Sequence, residues 1–121
     1  MAVTRFRELA PPAPDLARRI AAVRDIERAV HEATRAGTTL GQVFAAGQAA
    51  YAAAGFADEW RNHHQGGSIA YQGRETIATP GDRTVVEPGM AFAWNPSVPG
   101  AKVEDTFILG SDGNRRVVTA P

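Results

Sequence analysis

The hydrophobic pattern changes period once, near Trp60, and that change limits the folds open to the chain. Before it, Leu16, Ile20, Val23, Ile26, Val30 and Ala33 recur at three- and four-residue steps, the spacing of one apolar stripe on a helix. Asp15, after Pro14, suits the N-cap, and Gly37 suits a C-terminal stop. Arg18, Arg19, Arg24, Asp25 and Arg28 make the wet face. Thr39 stands three residues before Gln42, a capping-box pattern that opens a second periodic run: Leu40, Val43, Phe44, Ala50, Tyr51, Ala54. The small residues Ala45, Ala46, Gly47 and Ala49 let another backbone pack close, and Gly55-Phe56 reads as a Schellman ending. After Trp60 come short β-branched and aromatic runs, "SIAYQ", "RTVV", "MAFAWN", "KVEDTFIL" and "RRVVT", separated by "EPG", "VPG" and "SDG". The Pro88-Gly89 pair suits a type II turn and Asp112-Gly113 a hairpin turn.

Two helices followed by strands imply an α+β fold, with both helices packed on one face of an antiparallel sheet of four to five strands. At 121 residues the chain holds one such core. Residues 1–14, with Pro11, Pro12 and Pro14, read as an extended arm, and 15–121 as a single domain.

Thirteen Lys and Arg balance thirteen Asp and Glu, which removes the general electrostatic attraction that nucleic-acid binding draws on. No cysteine is present, so disulfides, thiolate metal sites and a cysteine nucleophile are excluded. The N-terminus has charges and prolines where a signal peptide needs an apolar segment, and a cytoplasmic location is the resulting expectation. Residues 36–57 are uncharged but carry four Gly, two Gln and two Thr, too few large aliphatics for a membrane span.

The chemistry-bearing residues concentrate in "WRNHHQGGSIAYQGRE", residues 60–75, and in the last long strand. Placed at a strand start, His63 and His64 would point to opposite faces, so at most one faces a given pocket. Gly66 and Gly67 allow close approach of a substrate or another backbone. Glu104 and Asp105 sit inside an apolar strand, where one must face the core and find a cation; Lys102 or a metal could serve. Asn95, before Pro96, either caps a turn or offers an oxygen to a ligand. Arg74 and Glu75 form either a surface ion pair or an anion clamp and proton acceptor.

"DEWRNHHQGGSIAYQGRE" followed by "PGMAFAWNPSVPGAKVEDTFIL" resembles the C-terminal half of the pita-bread metallopeptidase family, which includes methionine aminopeptidases, Xaa-Pro peptidases and creatinase. The resemblance runs over roughly residues 15–120 and is closest to Xaa-Pro aminopeptidase-like proteins. It implies a hydrolase-class fold in which two divalent ions are held by two aspartates from the N-terminal half and by a histidine and two glutamates from the C-terminal half. Those last three positions fall on His64, Asn95 and Glu104. The implied metal contacts are therefore His64 and Glu104, for Mn, Co or Zn held weakly or not at all. His63, His64 and Glu75 become the catalytic candidates; Asn95, Tyr71 and Arg74 become the substrate contacts, for a small peptide or another small molecule.

Three departures bear on activity. Asn95 replaces a carboxylate and binds a hard cation weakly. Tyr71 and Gln72 stand about where the peptidases place a histidine that contacts the substrate carbonyl, and no aspartate pair precedes Arg18. The expectation is a divergent or split Xaa-Pro peptidase-like domain that is not a competent two-metal peptidase alone. Its alternatives are a metal-free enzyme or binder, as in creatinase-like members, or a half-domain for association. A lone half exposes a sheet edge and an apolar face, so a homodimer or a separate N-terminal-half subunit is expected to cover them.

Overall fold

In a computed structural model, residues 2–5, 7–70 and 73–119 are described. Helix α1, Pro14–Ala33, places Pro14 in its first turn, with Ala13 at the N-cap and no side-chain cap. Asp15 is thus inside the helix, not at its cap; it forms ion pairs with Arg18 and Arg19. Helix α2, Leu40–Ala53, has the expected capping box, in which Thr39 Oγ1 accepts from the Gln42 N–H and Gln42 Oε1 from the Thr39 N–H. It ends as expected: the Phe56 N–H donates to Tyr51 O and the Gly55 N–H to Ala52 O. No described helix is long and apolar enough to cross a membrane.

Five strands form one antiparallel sheet in the order β2-β1-β3-β6-β7: β1 Gly66–Ala70, β2 Gly73–Ile77, β3 Ala91–Trp94, β6 Asp105–Leu109 and β7 Arg115–Val117. A separate hairpin, β4 Ser97–Val98 with β5 Ala101–Lys102, leans on α1. The expected "RTVV" strand is absent: residues 82–86 instead pair with the α1–α2 connection through Gly41 N to Asp82 O, Leu40 N to Thr84 O and Val86 N to Thr38 O. The expected "SIAYQ" strand is β1 shifted to start at Gly66, and residues 71–72 lie outside the described residues. Its partner β2, "GRETI", has a charged centre that hid it from a hydrophobicity reading.

Phe92, Trp94, Phe107 and Leu109 point to the helix face, where they meet Val30, Leu40, Val43 and Phe44. Trp94 Nε1–H donates to Thr34 Oγ1 at 3.1 Å, so the buried indole keeps its hydrogen bond. A second cluster joins Ile20, Val23, Ile26 and Tyr51 to Val98, Ala101 and Val103 of the hairpin region. Leu16, expected in the α1 stripe, is 37% exposed; it lies outside that cluster, with Cδ1 near Gly100 at the hairpin turn.

The register aligns Gly66 with Trp94 and Gly67 with Ala93. A Cβ on Gly66 would lie 2.1 Å from Ala93 O, at φ +100°, and one on Gly67 would lie 2.0 Å from Thr76 O. The close approach expected here is therefore made by the two flanking strands of the same sheet. Gly66→Ala and Gly67→Ala should each lower unfolding free energy by about 2–4 kcal/mol. A urea titration in which either variant stays within about 0.5 kcal/mol of the parent would refute this strand spacing.

Candidate active site at the end of the central strands

One residue beyond the paired rows of β1, β3 and β6, the register brings Gln65, Asn95 and Glu104 side by side. The Asn95 N–H donates to Gln65 O at 3.0 Å, which confirms the first half of that row. All three are buried, at 8%, 4% and 8% exposure. Three adjacent buried polar side chains at the end of the central strands are an unusual feature for a core.

Gln65 turns toward the helices. Its Oε1 accepts from Tyr51 Oη at 2.7 Å, and its amide nitrogen donates to Trp60 O and His63 O, each at 3.1 Å. Tyr51 Oη in turn accepts from the Ser97 N–H at 2.9 Å. Burial pushes the Tyr51 phenol up to about 12, so it stays a neutral donor and acceptor. The alternation of β3 and β6 turns Asn95 and Glu104 the other way, to the face away from the helices. Asn95 Oδ1 has no hydrogen-bond partner among the described residues.

The two histidines precede β1, which starts at Gly66, so strand alternation does not assign their faces. A short 3-10 helix, Glu59–Asn62, delivers His63 at its C-cap in extended backbone. The His63 ring is half-buried and committed at both ends: Nδ1 bonds His64 O at 2.6 Å, and Nε2 bonds Ser97 Oγ. A carbonyl can only accept, so Nδ1 carries a proton and Nε2 of the neutral ring accepts from the serine hydroxyl. His64 is exposed.

Glu75 is exposed on β2, beside a bulge opposite Ser68 and Ile69, and lines a different basin with Ser68, Thr84, Glu87 and Met90. It is not brought to the Gln65–Asn95–Glu104 row. Tyr71 lies outside the described residues, as does the side chain of Arg74. Of the two adjacent carboxylates, Asp105 pairs with Arg5 at 2.5 Å; the Lys102 side chain is exposed on β5.

Gln65, Tyr51 and Ser97 were not singled out by sequence reasoning. The available signal was an amide immediately before two glycines, where a buried polar group needs fixed partners.

The donor set can be tested against a two-metal centre. Among the described residues there is no group of three His, Cys, Asp or Glu side chains placed to hold an ion. Gln65 has its amide fully engaged by protein partners. These residues do not fit a two-metal centre within this chain.

Tyr51→Phe should lower stability by about 1–3 kcal/mol, because Gln65 Oε1 and the Ser97 N–H both lose a buried partner. His63→Ala should cost less, about 1 kcal/mol, since its ring is partly solvated. Thermal melts of the two variants in parallel check the order; a Tyr51→Phe melt equal to the parent would remove the bridge from the account.

The sequence matches the profile of metallopeptidase family M24 over residues 1–111. It is 33% identical over 125 residues to a probable dipeptidase PepE of Mycobacterium tuberculosis, covering 98% of this chain and 33% of that protein. The fold superposes on dipeptidase PepE from Mycobacterium ulcerans with TM-score 0.83 and 29% identity, covering 98% of this chain and 33% of that one. For prolidase from Pyrococcus furiosus the TM-score is 0.83 at 18% identity, with coverage of 98% and 36%, which speaks to the fold alone. The chain spans about a third of the length of the curated relatives it matches. With two helices on a five-stranded antiparallel sheet, it has the architecture of half a pita-bread domain and belongs to metallopeptidase family M24.

Proposed function

We propose that this chain supplies one wall of a peptide-binding site of the Xaa-Pro dipeptidase kind, and that it is not a two-metal peptidase by itself. The observation that carries this reading is the buried row Gln65–Asn95–Glu104, in which a single carboxylate stands beside an amide oxygen with no partner. Two-metal hydrolysis requires both ions to be held and a hydroxide generated between them. One carboxylate and His64 are too few ligands for that task. In this reading Glu104 and His64 are what this wall could offer a divalent ion such as manganese, cobalt or zinc, and Asn95 contacts the substrate. The remaining ligands come from outside this chain.

The same reading leaves the site to be closed from outside this chain, beyond the buried positions Gly67, Ala93 and Thr106 that align across the central strands. A second copy of the chain, or a separate subunit carrying the N-terminal half, would close it. Light scattering at micromolar concentration is expected to give twice the chain mass; a clean monomer would reject self-association and leave the separate subunit as the partner to seek.

One observation favours a metal-free version of the site. The orphaned Asn95 oxygen suits a hydrogen-bond donor on a small molecule better than a hard cation. Binding of a proline-containing dipeptide that persists in excess chelator would support that version.

The test of the main reading is a manganese titration with a parallel assay on Xaa-Pro dipeptides. The chain is expected to show no turnover and only weak manganese binding, and Asn95→Asp or Asn95→Glu should tighten manganese about tenfold or more if folding is retained by thermal melt. Manganese-dependent hydrolysis by the unaltered chain, lost in Glu104→Ala, would overturn the proposal.

A further inference from the structure

On the helix face of the sheet, away from the Asn95–Glu104 side, an open basin of about 640 Å³ lies between α1 and the edge formed by β6 and β7. Its floor holds two polar side chains from successive turns of α1, Glu27 and His31. Glu27 Oε1 and His31 Nε2 are 3.8 Å apart, too far for a hydrogen bond, and neither has a partner among the described residues. Both side chains are largely buried, at 16% and 17% exposure. His31 is held in place by its ring contact with Phe107, centroids 4.8 Å apart. Two hydrogen-bonding atoms without a partner among the described residues thus lie just beneath the basin.

The walls supply the charge. Arg24 and Arg28 come from α1, Arg115 from β7 and Arg5 from the N-terminal arm. Arg5 is committed to Asp105 at 2.5 Å, and Arg28 to Asp25 at 3.0 Å. No ion pair within 4 Å is found for Arg24 or Arg115 among the described residues. The remaining acid on the walls is Glu32, on α1.

We infer that this basin is a binding site for a small multivalent oxyanion of the sulfate, phosphate or carboxylate class, held by Arg24 and Arg115 with Glu27 and His31 beneath it. Guanidinium groups without an internal counter-ion favour such ligands, which they can engage through paired N–H donors. The site is distinct from the row at the end of the central strands and does not depend on the reading of that row.

The floor makes the binding proton-linked. Burial, reinforced by Asp105 and opposed by Arg5 and Arg24, raises the Glu27 carboxyl to about 7. Burial holds His31 near 4, with Asp105 and Arg115 acting in opposite senses, so the ring stays neutral through the range in question. Below about pH 7 Glu27 is a neutral acid and can donate to an anion oxygen. Above it, an ionised carboxylate repels the same anion. Affinity should therefore fall as pH rises through about 7, and anion binding should bring about proton uptake.

Sulfate is the probe, because its charge is constant over this range. Calorimetric titration of the full chain at low ionic strength should show saturable binding at about pH 6 that weakens at least about tenfold at about pH 8.5. Arg24→Gln with Arg115→Gln should weaken binding at about pH 6 by at least about tenfold, and both side chains project into the basin without a core role. Glu27→Gln should retain binding and abolish its pH dependence. Absence of saturable binding at about pH 6 would overturn the proposal, as would unchanged affinity in the double arginine variant or a full pH dependence surviving in Glu27→Gln. Repeating the titration with inorganic phosphate and with a dicarboxylate then separates the ligand classes.

Discussion

The sheet depends on how closely β1 can approach its neighbours on both sides. At Gly66 and Gly67 the backbones of β3 and β2 occupy the volume that any side chain would need. This places Trp94 and Phe92 in register over the helices, fixes Gln65 and Asn95 as neighbours, and so brings Glu104 into the same row. The polar row exists because three strands are locked one step earlier. Its chemistry is an outcome of backbone spacing before it is an outcome of side-chain choice.

Packing and site share parts. Tyr51 belongs to the apolar cluster with Ile20, Val23 and Ile26, yet its hydroxyl joins Gln65 on β1 to Ser97 on the hairpin. His63 reaches the same serine from the 3-10 helix. The wall of the candidate site is therefore stiffened from the helix side, while the opposite face carries the single carboxylate and the orphaned amide. A stiff wall with an incomplete donor set is what a component of a larger site requires, since partners must arrive at fixed positions.

Much of the fold was legible in the residues. The period of the α1 stripe predicted Ile20, Val23, Ile26 and Val30 as buried, and the Thr39 and Gln42 pair predicted the start of α2. The loop with "RTVV" failed because β-branched residues also suit an extended segment that hydrogen-bonds a helix connection, and hydrophobicity alone does not name the partner. Strand β2 escaped for the opposite reason, its centre being Arg74 and Glu75. At the site, Glu104 was legible as one of two adjacent carboxylates of which one must face the core, and Asn95 as a turn cap or a ligand oxygen at a strand end. The commitment of His63 to Ser97 was not, because it joins residues 34 apart through a hairpin that only the tertiary fold creates.

The N-terminal arm crosses the chain's last segment at one carboxylate. Asp105 Oδ1 receives Arg5 Nη2 and Thr119 Oγ1, both at 2.5 Å, while Thr4 donates to Glu104 O and Ala2 exchanges hydrogen bonds with Thr106 Oγ1. Segments separated by about a hundred positions in sequence thus converge on Glu104, Asp105 and Thr106, at the start of β6. Such contacts form only after the intervening chain has been brought together. It also makes the two ends cooperative: loosening either one removes a partner from Asp105 and lowers the cost of opening the other. The amides of Thr4, Thr106 and Val118 then belong to one opening unit, and that unit sits on the strand that carries Glu104.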